Sequence, residues 1–387
     1  MTYRRAAIPA LAGGLLLTAL LWWAGASAQA LRLPGTGGVI SSRVAAELER
    51  WLIPWSYDPP SALPLGAELS GGSGDAAGSG GSHYLTLYST GMQIRFAAVF
   101  AFFVPVALLL IRRLPPVHGR MPATLLAVWA WGLVAGTLAV TVSAPWLIAA
   151  DGRGSYRFLP QLAGVIASGR QALVATALVA AVVTVLVARV TAKGAGPLPQ
   201  NIVPARAARL AATVGTAVVA LSLVVLSYQP VAAEIQLLSP DGGLFAEPGD
   251  LLRQWLLLGV WVSPAGVPLA DWLLHMAVTM LLLVVVWWAL RRLPALLTRA
   301  TVPAMAACAV CATVLGLLVS QLVRASTDSL ASLYGPLQRF AGVGEGVPAA
   351  LTFGLVAGAA AAVTLRVAVR HAETAEVTVE EESAARP

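Results

Sequence analysis

The sequence predicts an all-α fold: a polytopic integral membrane protein of eight transmembrane helices, built as two parallel four-helix repeats. Three observations carry that expectation. Of 387 residues, 58% are hydrophobic and 11% charged, whereas a soluble domain averages about 25% charged. The mean hydropathy is +0.78. Eight apolar runs reach the ~20 residues a spanning helix needs: 6–28, 94–114, 122–147, 169–190, 207–229, 270–290, 302–322 and 348–369.

The third observation is a faint internal repeat. An apolar run ends in Arg-Arg-Leu-Pro at Arg112–Pro115 and again at Arg291–Pro294. A Pro-started apolar run follows each, at Pro122 and Pro303. Leu162-Ala163-Gly164-Val165 and Phe340-Ala341-Gly342-Val343 each precede a further apolar run. Residues 1–190 and 207–370 thus read as two units of four helices, joined by a linker at 191–206 and followed by an acidic, disordered tail at 371–387. An even number of helices per unit makes the repeats parallel, related by a pseudo-two-fold axis along the membrane normal.

Charge sets the orientation. The net charge of +7 does not form a nucleic-acid patch. Arg112, Arg113 and Arg120 fill one short gap and Arg291, Arg292 and Arg299 another, and neither gap holds an acid. Short loops rich in Lys and Arg stay inside, so both termini read as cytoplasmic, with the longer segments 29–93 and 230–269 outside. Abundant Ala, Gly, Val and Arg with a single lysine, Lys193, suggests a GC-rich bacterial genome. The expected location is a bacterial plasma membrane.

Taken in order, residues 1–30 have two readings. Arg4-Arg5, an apolar stretch and Ala26-Ser27-Ala28 fit a cleavable secretory signal. The apolar stretch exceeds the ~7–15 residues of a signal core, and Trp22-Trp23 suits an interfacial aromatic belt. A retained first helix is the favoured reading.

In the outer segment 29–93, Val44, Leu48, Trp51 and Leu52 fall at helical spacing, with Arg43, Glu47, Glu49 and Arg50 opposite. This amphipathic helix lies either on the membrane surface or on the loop's own residues. Trp55, Pro59, Pro60 and Pro64 follow, and then Gly71–Ser82, which reads as a flexible linker. The second unit mirrors this with Asp250–Val260, where Trp255 occupies a place comparable to Trp51. Loops of about 65 and 40 residues are too short for large domains of their own.

Chemistry is sparse. No Asp, Glu, Lys or Arg falls in the middle of an apolar run. Intramembrane ionisable residues mark ion-coupled transport, so their lack weighs against a proton- or sodium-driven carrier. Charges gather at the outer helix ends instead: Arg95 and Arg170 in the first unit, Asp271 and Glu345 in the second. These four form a candidate vestibule that pairs internally or holds a polar head group, against ordinary snorkelling and capping. Asp271 and His275 share a helical face at i and i+4, beside the loop acids Glu234, Asp241, Glu247 and Asp250: a candidate substrate-binding or acid–base pair, or part of a metal site, against a plain local hydrogen bond.

Cys308-Ala-Val-Cys311 has redox spacing, yet it lies roughly 10 Å inside a helix by a rise of 1.5 Å per residue and reads as packing. Gly354, Gly358 and Ala362 form a small-residue face for close helix approach. There is no phosphate-binding loop, no serine–histidine–aspartate set and no zinc spacing. The sequence therefore predicts no catalytic residue, metal or cofactor, no nucleic-acid partner and no ATPase of its own.

The order helix, outer loop, three helices is similar to that of exporter permeases that carry an extracytoplasmic domain between their first two helices and use a separate ATPase. The likeness is one of element order alone. It implies a permease-like subunit for a lipidic or amphiphilic substrate, with the bilayer and a separate ATPase as partners. One alternative is an assembly scaffold that recruits envelope proteins. The other is an outer-facing membrane enzyme using Asp271 and His275.

Overall fold

Eight helices among the described residues are long and apolar enough to cross a membrane, which makes this a multi-pass, all-helical membrane protein with no strand among those residues. The computed structural model describes residues 3–31, 41–58, 77–116, 119–150, 158–192, 204–227, 255–256, 268–327 and 337–384.

In chain order, α1 (Tyr3–Ala30) leads into the short α2 (Ser42–Leu52) and a single 3-10 turn, Ile53–Trp55. Then come α3 (Ala77–Arg113), α4 (Met121–Ala150), the short α5 (Phe158–Ala167) and α6 (Arg170–Thr191). The second half holds α7 (Ala205–Ser227), α8 (Leu269–Leu296), α9 (Val302–Thr327), a 3-10 turn at Gln338–Phe340 and α10 (Val347–Ala384).

The spanning helices pack as two rings of four. In the first, α1 contacts α3 and α6, and α4 contacts the same two. In the second, α7 contacts α8 and α10, and α9 contacts those two. The rings meet chiefly through α4 and α9, helped by α4–α10 and α3–α9. A helix that lies in the middle of a bundle must be apolar all round. Both α4 and α9 obey that rule, and they are the most deeply buried of the eight spans.

Close approach in the second ring depends on missing side chains. A Cβ at Gly354 would stand 2.6 Å from the Val310 Cα, and one at Gly358 would stand 2.5 Å from the Ala306 Cα. The small face expected on the last helix therefore packs on α9 of the same chain.

The two short turns meet at one end of the bundle, the short-turn end. Thr298 N–H donates to the Arg113 carbonyl at 2.9 Å, and Arg120 Nη2 donates to the Ala295 carbonyl at 3.3 Å. Arg112 lies over the Tyr3 ring at 3.8 Å, and Arg291 and Arg292 lie over Trp287 and Trp288 at 5.2 and 5.3 Å. Stacked guanidinium–aromatic pairs suit helix ends at a polar–apolar boundary.

Three expectations differ from the structure. The second span begins far before residue 94: α3 starts at Ala77, inside the segment read as a flexible linker. Tyr88 and Met92 are buried and extend the packed face backwards, so Arg95 lies within the helix rather than at its end. Secondly, α10 continues to Ala384, through the acidic segment expected to be disordered. Ala372, Glu373, Ala375 and Glu376 are strong helix formers, so the span extends past its apolar part. Thirdly, Glu47 of α2 is buried instead of facing water. The helix sits on α1 and α6, and that tertiary contact overrides the stripe implied by spacing.

Candidate functional site at the long-loop end

The opposite end carries the C-termini of α1, α4, α7 and α9 and the N-termini of α3, α6, α8 and α10. Two polar clusters are built there.

The first holds the segment Ile53–Asp58 in the mouth of the first ring. Trp55 is 1% exposed, and its Nε1–H donates to the Gly169 carbonyl at 3.0 Å. Gly25 of α1 lies directly against the Trp55 backbone, with no room for a Cβ. Gly169 adopts φ +71°, a conformation that favours glycine, and a Cβ there would meet Trp55 Nε1 at 2.7 Å. The Tyr88 hydroxyl donates to the Ser56 carbonyl at 2.8 Å, and Tyr57 stacks on Phe96 at 5.7 Å.

Arg95 belongs to this cluster and is 2% exposed. Its Nε donates to Ser143 Oγ at 2.9 Å, Nη1 donates to the Pro54 carbonyl, and the guanidinium lies 5.7 Å from the Trp55 ring. Nη2 is buried without a partner. Arg95 thus anchors the Ile53–Asp58 segment; it is packed and not presented to solvent. Of the two indoles that the sequence places in this segment, Trp51 and Trp55, Trp55 is the one inserted. Trp51 is half-buried. Trp255 Nε1–H donates to Thr352 Oγ1 of α10 at 3.1 Å.

The second cluster spans the two rings. Arg170, the first residue of α6, places Nη1 3.9 Å from Glu345 Oε1, with side chains 19% and 67% exposed. Arg170 Nε also donates to the Ala167 carbonyl at 2.7 Å, and Gln171 Nε2 donates to the Ala341 carbonyl at 2.6 Å. On α9, Gln321 works in both directions. It donates from Nε2 to the Glu345 carbonyl at 2.8 Å and accepts from Gly344 N–H at 2.8 Å. Gly344 and Gly346 have φ of +86° and +76°, so the turn that carries Glu345 needs glycine on both sides. One helical turn beyond Gln321 stands Arg324, whose Nε is buried with no partner.

Of the residues selected from the sequence, the structure brings Arg170 and Glu345 together. Gln171, Gln321 and Arg324 were missed. The available signal was the i, i+3 spacing of Gln321 and Arg324 at the end of the seventh run.

Asp271 and His275 lie in the first turns of α8, exposed and half-buried respectively. Thr279 Oγ1–H donates to the His275 carbonyl at 2.9 Å. The hydrogen bonds and ion pair of the Arg170–Glu345 cluster do not reach α8. Glu234, Asp241, Glu247 and Asp250 lie outside the described residues. No group of three metal-ligating side chains is assembled among the described residues.

Cys308 and Cys311 are free and buried, and Cys311 Sγ donates to the Ala127 carbonyl of α4 at 3.2 Å. They pack the seam between the rings. No family model, curated protein or solved structure matches the chain.

Proposed function

We propose that the chain is a permease-like membrane subunit that handles a lipidic or amphiphilic substrate at its long-loop end, energised by a separate ATPase. The observation that carries this reading is the charged cluster at the mouth of the seam, where Arg170 of one ring faces Glu345 of the other at 3.9 Å. A site shared between two bundles is where relative motion of the bundles changes affinity. The scarcity of charge along the spans fits a subunit whose energy comes from elsewhere.

The two rings are read as parallel repeats. The matching cyclic order of contacts, α1–α3–α4–α6 and α7–α8–α9–α10, supports this. With the arginine-rich short turns in the cytoplasm of a bacterial cell, the long-loop end faces outward. Asp271 and His275 are kept as candidate contacts for the substrate's polar part, secondary to Arg170 and Glu345, whereas the buried Arg95 serves to hold the Ile53–Asp58 segment.

One observation favours the scaffold reading. The α4–α9 seam is packed with Ala, Val and Cys side chains such as Ala127, Val134, Cys308 and Val314, and the buried hydroxyls of Thr137, Thr313 and Ser320 are spent on carbonyls of their own helices. A substrate handled by this protein therefore moves along the outer or lateral surface rather than through the middle.

Gentle-detergent affinity purification with identification of the co-purifying proteins separates the readings. A stoichiometric ATPase supports the permease. Envelope proteins without an ATPase support the scaffold. A chain purified alone transfers attention to the enzyme reading, with His275→Ala at normal membrane levels as the next variant.

A further inference from the structure

We infer that Arg170 and Arg324 form a binding site for the anionic headgroup of an amphiphile, of phosphate type, and that Glu345 is an internal competitor which occupies the site when it is empty. This rests on the permease-like reading for its substrate class and adds a headgroup charge, a third residue and a gating carboxylate.

Charge balance comes first. Arg170 faces Glu345 at 3.9 Å, and Arg324, one helical turn beyond the Gln321 that holds the Glu345 turn, brings a second cation to the cluster, so among the described residues it keeps one uncompensated positive charge. A guanidinium offers five N–H donors. Arg170 uses Nε on the Ala167 carbonyl, and Arg324 Nε is buried with no partner. Donor capacity therefore remains on both arginines.

The existing pair is loose. A charge-assisted N–H···O bond is ~2.7–2.9 Å long, and Arg170 Nη1 stands 3.9 Å from Glu345 Oε1 with the carboxylate side chain 67% exposed. The backbone beneath it is tightly held. Gln321 fixes the turn from both sides at 2.8 Å, and two left-handed glycines flank Glu345. A fixed turn with a loosely held carboxylate lets the side chain swing aside without rebuilding the loop. An incoming anion exchanges one exposed ion pair for another, and exposed pairs contribute little, so displacement is easy.

Apolar surface adjoins the charges. Phe340, in the 3-10 turn that leads to Glu345, is 41% exposed. Tails lying there place an attached anion beside the arginines. The site thus suits an amphiphile better than a bare ion. A phosphate monoanion and a phospholipid head nevertheless share the same recognition chemistry.

The test uses the full chain in nanodiscs, with dioleoyl phosphatidylglycerol as the probe, phosphatidylcholine as the neutral control and inorganic phosphate as competitor. The readout is the anionic lipid retained by the protein in native mass spectrometry. Wild type is expected to retain phosphatidylglycerol over phosphatidylcholine. Arg170→Gln and Arg324→Gln should each weaken retention about tenfold, the loss of one charge-assisted contact. Arg170→Lys, which keeps the charge, should lose less. Glu345→Gln should strengthen retention several-fold.

Equal retention of the two lipids, or indifference to Arg324→Gln, overturns the site. An unchanged or weakened Glu345→Gln overturns the competitor role. Displacement of the lipid by millimolar inorganic phosphate overturns the amphiphile and leaves a soluble anion as ligand. Loss of lipid selectivity alongside a co-purifying ATPase sinks this inference and spares the permease reading. Selective retention with no ATPase does the reverse.

Discussion

Replacing Gly358 with Ala is a demanding test of the packing between α9 and α10. The added methyl would lie 2.5 Å from the Ala306 Cα, 2.7 Å from the Ala309 Cβ and 2.8 Å from the Met305 carbonyl oxygen. Ordinary van der Waals contact begins near 3.4 Å for a Cβ, so the deficit approaches an ångström against three partners. Two of the three are backbone atoms and the third is an alanine methyl, so no side chain can rotate away. The helices must separate, and over-packing of this kind costs ~1–3 kcal/mol. Because α9 also faces α4, separation spreads to the seam between the rings.

The control is Gly164→Ala on α5, where nothing lies within 4 Å of the new methyl. In an exposed helix Ala is favoured over Gly by ~0.5–1 kcal/mol. Denaturation of both variants in detergent, by graded sodium dodecyl sulfate with fluorescence of the native tryptophans, gives the comparison. Gly358→Ala should fall below wild type and Gly164→Ala should match or exceed it. Equal midpoints for the two variants would refute the close α9–α10 contact.

Three further outcomes are expected. Trp55→Phe leaves the buried Gly169 carbonyl with only the longer Leu173 N–H at 3.4 Å and should cost ~0.5–1.5 kcal/mol, while Trp55→Ala should cost ~3–5 kcal/mol and open the Ile53–Asp58 segment to protease; equal loss in the two would refute the indole hydrogen bond. Cys308 and Cys311 are 3% and 2% exposed, so a maleimide should leave both untouched in native membranes and label both after unfolding. Glu345→Arg gathers three cations and should disturb thermal stability more than Arg170→Glu, with the double reversal recovering at most ~1 kcal/mol because the pair is exposed; no recovery at all would refute the pairing.

The sequence yields the spans because a membrane helix needs only length and apolarity, and both are local. Pro122, Pro303 and the Arg-Arg-Leu-Pro marks place the short turns for the same reason. Which helices touch was legible only at Gly354 and Gly358, where small residues at helical spacing announce a close neighbour. Arg170 and Glu345 were marked out by charge against an apolar background, and they meet.

Arg95 stood out in the same way, but its environment was not legible. The apolar faces of Tyr88 and Met92 extend α3 upstream, and Trp55 covers the guanidinium from a distant segment. Arg324 carried no such contrast, since it sits among the polar residues that close α9. The i, i+3 spacing with Gln321 pairs the two on one face, but the Gly344–Gly346 turn that Gln321 holds arrives by a long-range contact.

The account turns on one arrangement: the Arg170–Glu345 cluster lies on the outward face of a bundle whose short arginine turns face the cytoplasm. Single cysteines at Glu345 and at Arg299, in a chain with Cys308 and Cys311 changed to Ala, test this with a membrane-impermeant maleimide on intact cells. The account predicts labelling of Glu345→Cys from outside and of Arg299→Cys only after permeabilisation. Labelling of both from the same side, or the reverse order, would contradict it.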